Sequence, residues 1–192
     1  WEISPYYEEM EVDLEERGHI EVVEECGLFA TIRITKKLHH STMTQDITMY
    51  TGSNRVDFKT RIDWKETHKL LKVEFPVAVR TRQAYEEIQF GYVKRPTHKS
   101  TNYDEDRFEV CNHKYTALSE PNRTFAILND CKYGVSTNEN KIALTLLRAP
   151  VIPDMYSDQG IHEFTYSIYL DDCSFYESDV IKEGYCLNVP VT

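Results

Sequence analysis

Positive charge is scarce in this chain, and so is any long apolar run. Lys and Arg number 22 against 32 Asp and Glu, a formal net charge of −10 over 192 residues. That balance argues against a nucleic-acid backbone or an anionic membrane as partner, because both need clustered cations. It suits a neutral ligand. No apolar stretch approaches the length that crosses a bilayer. Cys26, Cys111, Cys131, Cys173 and Cys186 are five in number, and no two form a C-x-x-C pair. A disulfide-built secreted domain more often carries an even set, so reduced thiols in a cytoplasmic protein are expected. The chain opens on Trp1 with no charged-then-apolar leader, which reads as a piece of something longer without a signal peptide. Asn122-Arg123-Thr124 is a sequon of the kind that arises by chance. Helix signals are few as well. Glu8–Glu16 is charged enough for a helical turn, but its apolar spacing is poor.

What the chain does have is period-two alternation. In Val56–Trp64, Val56, Phe58, Ile62 and Trp64 share one face, while Asp57, Lys59, Arg61 and Asp63 share the other. Gly52-Ser53-Asn54 sets a turn before this strand. A second strand is expected over about Leu70–Val79 with Leu71, Val73, Phe75 and Val77 inward. The polar stretch Lys65–Lys69 would join the two as an antiparallel pair. Leu28–Ile34 alternates likewise, and Phe164, Tyr166, Ile168 and Leu170 mark another face. Shorter candidates are Thr44–Tyr50, Ala84–Phe90, Phe108–Cys111, Thr124–Leu128 and Ile142–Leu147. With 41% hydrophobic residues the chain can close a core. The pattern predicts an all-β fold over residues 1–192: one large antiparallel β-sandwich with few or no helices.

The densest polar patterning lies between Ala84 and Gly134, without the spacing of a catalytic motif. Arg95-Pro96-Thr97-His98-Lys99 opens a long polar loop to Asp106. Pro96 stiffens it, so Arg95 and His98 either hold a hydroxylated ligand or brace a neighbouring domain; a solvated connection is the structural reading. Asn129–Gly134 suits a turn, while Asp130, Lys132 and Tyr133 are placed to form a polar cluster at a sheet edge. Cys131 lacks a placed His partner and is not read as a nucleophile. Asp154, Asp158 and His162 match no calcium or zinc spacing and read as a turn network in the loop that follows Arg148. His39-His40 reads as surface, since neighbours on a strand point to opposite faces. None of the acidic residues stands out as held in an apolar pocket, so no acid–base pair is assigned.

At these residues the chain resembles a known family. VDFKTRIDWKETHKLLKVEFPV, AYEEIQFGYVKRPTHKST, DRFEVCNHKYTALSE, AILNDCKYG and LTLLRAP with SDQGIHEFTYSIY are similar, in order, to the C-terminal β-domain of glycoside hydrolase family 38 α-mannosidases of the bacterial and vacuolar or cytosolic branch. The likeness runs from near Trp1 to about Leu170. It implies a galactose-mutarotase-like supersandwich within a retaining α-mannosidase. It also implies that the aspartate nucleophile and the zinc ligands lie in an N-terminal catalytic domain of the same polypeptide, so this segment holds neither catalytic residue nor metal. Arg95, Asp130, Lys132, Arg148, Asp158 and His162 match patterned family positions. Together with His98 and Tyr133 they are the expected contacts to the sugar-site rim or to the catalytic domain. A mannose-containing oligosaccharide is the implied substrate, a homo-oligomer is possible, and a stand-alone carbohydrate-binding β-sandwich is the alternative, motivated by 13 tyrosines.

Overall fold

The computed structural model describes residues 3, 4, 6–12, 14 and 17–189. After a 3₁₀ turn at Tyr7–Glu9, thirteen strands follow in chain order. They are β1 (His19–Glu25), β2 (Phe29–Leu38), β3 (Ser41–Tyr50), β4 (Arg55–Trp64), β5 (Leu70–Pro76), β6 (Gln83–Ile88), β7 (Gly91–Pro96), β8 (Val110–Cys111), β9 (Tyr115–Glu120), β10 (Arg123–Asn129), β11 (Gly134–Asn138), β12 (Lys141–Arg148) and β13 (Gly160–Asp171). Helix α1 (Asn102–Asp106) sits between β7 and β8, and α2 (Val180–Asn188) closes the described chain. A nine-stranded antiparallel sheet runs β1-β2-β3-β4-β13-β10-β9-β6-β7; a four-stranded sheet runs β5-β12-β11-β8. The fold is therefore an all-β antiparallel sandwich with few helices, as the alternation predicts.

Alternation along the central strands explains the layers. Phe125 and Ile127 of β10 face the small sheet and join Ile62, Trp64, Leu118, Ile142, Leu144, Phe164 and Tyr166 in the main core. Ala126 and Leu128, one residue out of phase, face the opposite side and pack with Tyr115, Ala117, Tyr169, Phe175 and Val180 beneath α2. The central strands are thus buried on both faces. On β12 a register shift between Thr145 and Leu147 breaks the alternation. Leu146 and Leu147 therefore both enter the main core, which a regular strand would not allow. Ion pairing of Arg55 with Glu183 at 2.9 Å ties α2 to the large sheet.

Two expectations need correction. β4 and β5 do not pair: β4 lies between β3 and β13, while β5 pairs with β12 in the other sheet. The Lys65–Lys69 connection is therefore a crossover between sheets rather than a hairpin. In β2 the buried side chains are Thr31 and, at the strand's end, Leu38, whereas Ala30 is exposed, and Leu28 is 75% exposed; alternation fixes which residues share a face, not which face finds a partner. Leu170 shares the face of Phe164, Tyr166 and Ile168, as the alternation predicts, and stands opposite Phe125, but at 51% exposure it lies beyond the core. Of the expected helical turn at Glu8–Glu16, residues 13, 15 and 16 lie outside the described residues, and the 3₁₀ turn covers only Tyr7–Glu9.

Candidate functional site

Strand directions gather loops at one end of the sandwich. β4 ends at Trp64, opposite Gly160 where β13 begins. β12 ends at Arg148, opposite Leu70 of β5. β10 ends at Asn129, opposite Tyr166, six residues after the start of its neighbour β13. The loops 130–133, 149–159, 65–69 and 112–114 and the His39-His40 hairpin turn therefore share that end. It holds Asp130, Lys132, Tyr133, Arg148, Asp158 and His162, six of the eight residues singled out in the sequence.

Buried amides fix the first loop. Asn129 and Asn112 are each 1% exposed, and the Asn129 amide donates to Asn112 Oδ1 at 2.9 Å and to the His113 carbonyl at 2.6 Å. Asn129 Oδ1 accepts from the Lys132 N–H at 2.8 Å. The Tyr133 carbonyl accepts the Asn112 backbone N–H at 2.8 Å and its side-chain amide at 3.2 Å. Asp130 accepts the Thr165 N–H at 2.8 Å through Oδ2. Its Oδ1 is buried with no hydrogen-bond partner among the described residues. Lys132 Nζ lies 4.4 Å from the centre of the Phe164 ring, and Tyr133 packs edge-on against His113 while staying 50% exposed. Such a framework presents an ammonium and a phenol from a loop held through the Asp130 and Lys132 N–H groups and the Tyr133 carbonyl. Gly134 completes it: a Cβ there would lie 3.0 Å from Glu109 Oε1 and 3.2 Å from Thr145 Cβ.

The second loop is a turn network, as its Asp and Gly content suggests. Asp154 Oδ1 accepts the Tyr156 N–H at 2.9 Å. Asp158, at φ 62°, accepts the Arg148 N–H through Oδ2 at 3.1 Å, and its carbonyl lies 2.7 Å from His162 Nε2. His39-His40 is a two-residue hairpin turn with both residues exposed; the surface reading holds, though on a turn and not a strand. Beside it the carboxylate of Glu66 accepts from the His40 N–H and the Ser41 hydroxyl, both at 2.8 Å.

Arg95 and His98 fall elsewhere. Arg95 belongs to β7, not to a presenting loop. Its guanidinium pairs with Glu86, whose side chain is completely buried, and donates to the Cys111 carbonyl at 3.1 Å. Burial raises the Glu86 carboxyl above its ordinary value, while Arg95 opposes the rise. No acidic residue stood out in the sequence as held in an apolar pocket; the structure buries Glu86 beside Arg95, and Glu66 and Glu87 as well. The hint available in the sequence was that Glu86 follows Ala84 in period two, on the core face of β6. His98 lies in the loop after β7, with Nδ1 2.9 Å from Ser100 Oγ. The loop is shorter than expected because Thr101 and Asp104 form a reciprocal capping box that starts α1.

Cys131 is set against nucleophilic chemistry by its surroundings. Desolvation and the adjacent Asp130 carboxylate push the Cys131 thiol up to about 11, away from the thiolate a nucleophile needs. All five thiols are unpaired. Among the described residues no three His, Cys, Asp or Glu side chains come together as a metal site requires.

Comparison with known proteins bears on these loops. The family described as "Glycosyl hydrolases family 38 C-terminal domain" matches residues 1–156. The chain is 42% identical to Alpha-mannosidase 2C1 of Homo sapiens over 193 residues, covering 100% of this chain and 19% of that protein. It is 50% identical to Alpha-mannosidase G of Dictyostelium discoideum over 149 residues, 78% of this chain and 14% of that one. The chain therefore spans less than a fifth of the length of these curated relatives. Among solved structures, an alpha-mannosidase from Enterococcus faecalis V583 superposes with a TM-score of 0.81 at 17% identity, over 91% of this chain and 24% of that one. This last likeness shows a shared fold.

Proposed function

Because the chain belongs to the glycosyl hydrolases family 38 C-terminal domain family, we propose that it is the non-catalytic C-terminal β-segment of a retaining α-mannosidase that hydrolyses terminal α-mannosidic bonds. In this reading the segment packs on a catalytic domain of the same polypeptide, and its loop end contributes to the rim of the sugar site. The observation that carries the reading is the gathering of Asp130, Lys132, Tyr133, Arg148, Asp158 and His162 at one end, on loops anchored from beneath by Asn112 and Asn129. Glycoside hydrolysis needs a pair of carboxyl groups free to serve as acid and as base or nucleophile. Among the described residues the three buried glutamates have internal partners instead: Glu86 has Arg95, Glu66 has His40 and Ser41, and Glu87 has the Lys114 N–H at 2.6 Å and Nζ at 3.0 Å. What remains for the loop end is binding. The Lys132 ammonium and Tyr133 phenol would donate to sugar hydroxyls, while the turn that joins Arg148, Asp158 and His162 would set the second wall.

Among the described residues no three His, Cys, Asp or Glu side chains gather as a zinc site needs, so in this reading zinc belongs to the catalytic domain of the full-length enzyme. A cytoplasmic setting agrees with five unpaired thiols and belongs to the same proposal. The test is Lys132→Ala and Tyr133→Ala in the full-length enzyme with a nitrophenyl α-mannoside. Loss of one substrate hydrogen bond, about 1–1.5 kcal/mol, lowers kcat/KM by roughly tenfold at an unchanged melting temperature. Unchanged kcat/KM in both variants would remove the rim from the account.

A further inference from the structure

The outer face of the large sheet carries a second constellation that the loop end does not use. Tyr85 stands on β6, Tyr92 and Lys94 on the edge strand β7, and Phe175 and Tyr176 on the connection between β13 and α2. Phe175 is 2% exposed and forms the base. It stacks on Tyr85 at 4.1 Å with 19° between planes, and Tyr92 meets it edge-on at 5.2 Å. Tyr176 stands perpendicular to Tyr85 at 5.9 Å. Above this base the rings reach water, Tyr176 at 64% and Tyr92 at 36% exposure. Lys94 Nζ lies 4.9 Å from the Tyr85 ring centre and 5.4 Å from that of Tyr176. Hydrogen bonding from Lys94, Tyr92 and Tyr85 converges on the Tyr176 phenol and draws it down to about 8.

We propose that this platform binds a neutral hexose oligosaccharide, with the apolar C–H face of one sugar ring lying on Tyr176 and Tyr92 and its hydroxyls meeting the phenols and the Lys94 ammonium. Rings that serve only packing sit like Phe175; these two are held in orientation yet left open. Such aromatic side chains give contact area at little loss of conformational freedom. An apolar partner would strip water from three phenols and an ammonium without replacing their hydrogen bonds. A polyhydroxylated ring satisfies them and the stacking face together. An anionic ligand would meet a chain of net charge −10. That the hexose is mannose rests on the α-mannosidase reading; the platform itself does not.

The experiment is tetranitromethane nitration of the full-length enzyme, mapped tyrosine by tyrosine by mass spectrometry, with and without soluble α-mannan. Tyr176 is expected to react ahead of other tyrosines, and α-mannan to slow it roughly threefold or more, the protection that about one ring contact provides. Exposed Tyr50 and Tyr156 should keep their rates. Retention of Tyr176→Ala on immobilised α-mannan should fall roughly three- to tenfold, about one aromatic contact, with most of it kept in Tyr176→Phe. A Tyr176 that fails to nitrate in the full-length enzyme lies under other polypeptide, and that overturns the proposal. So does a nitration rate indifferent to α-mannan, or equal retention of Tyr176→Ala. If dextran protects as well as α-mannan, the platform stands and the mannose assignment falls. If Lys132→Ala and Tyr133→Ala both leave turnover unchanged while α-mannan still protects Tyr176, the rim reading has failed and the platform has not.

Discussion

β10 and β1 lie in the same sheet and meet opposite fates. Every residue of β10 except Arg123 is buried, whereas every residue of β1 is exposed. β10 lies between β13 and β9, with the small sheet against one face and α2 against the other. β1 lies at the edge, where the nine-stranded sheet has outrun its four-stranded partner. Yet the wing carries the same apolar face: Val22, Ile32, Ile47 and Phe58 are opposite one another in successive strands. Only Phe58, at the inner end of that row, packs on the main core. Alternation states what a strand offers; burial depends on what the rest of the fold places above it.

The comparison can be broken by mutation. Leu128→Ala in β10 opens a cavity in close packing and is expected to cost about 2–5 kcal/mol, read by chemical denaturation. Glu86→Ala leaves the Arg95 guanidinium without its counter-charge, at about 3 kcal/mol, and the double variant Glu86→Leu with Arg95→Met should recover most of that loss. A double variant no better than the single one would show that the pair is not an isolated buried ion pair. Thr101→Ala removes the α1 cap at about 1 kcal/mol. Val22→Ala in β1 should cost less than about 0.5 kcal/mol; a loss near that of Leu128→Ala would mean that the wing is packed. The smallest signal is spectroscopic. Phenolate absorbance at Tyr176 should titrate near 8, and in Lys94→Met it should move back toward the ordinary tyrosine value of about 10.

Legibility followed the same line. Strands with one or two buried faces, such as β4 and β13, were visible because their side chains sort in period two. β1, β7, β9 and β11 were not picked out. His19–Glu25 mixes Val with Glu, β9 is buried almost without alternation, and β7 and β11 are short edge or hairpin strands. α2 was missed because Val180–Asn188 is short and its apolar spacing is weak. The sheet partners of β4 and β5 depended on a crossover that local pattern does not encode. At the candidate site, the loops of Asp130–Tyr133 and Arg148–His162 were readable from turn residues. Asn112, Asn129 and Glu86, which hold or constrain their surroundings, were not. A buried amide or carboxylate looks like a surface one until its partner, distant in sequence, is placed beside it.

The account's central claim is that the bond-breaking groups of the enzyme lie off this chain. Its most direct test is to purify residues 1–192, verify a β-rich fold by circular dichroism, and incubate the chain with a nitrophenyl α-mannoside and added zinc. The account predicts no release of nitrophenol from the folded chain; sustained release from it would contradict the claim.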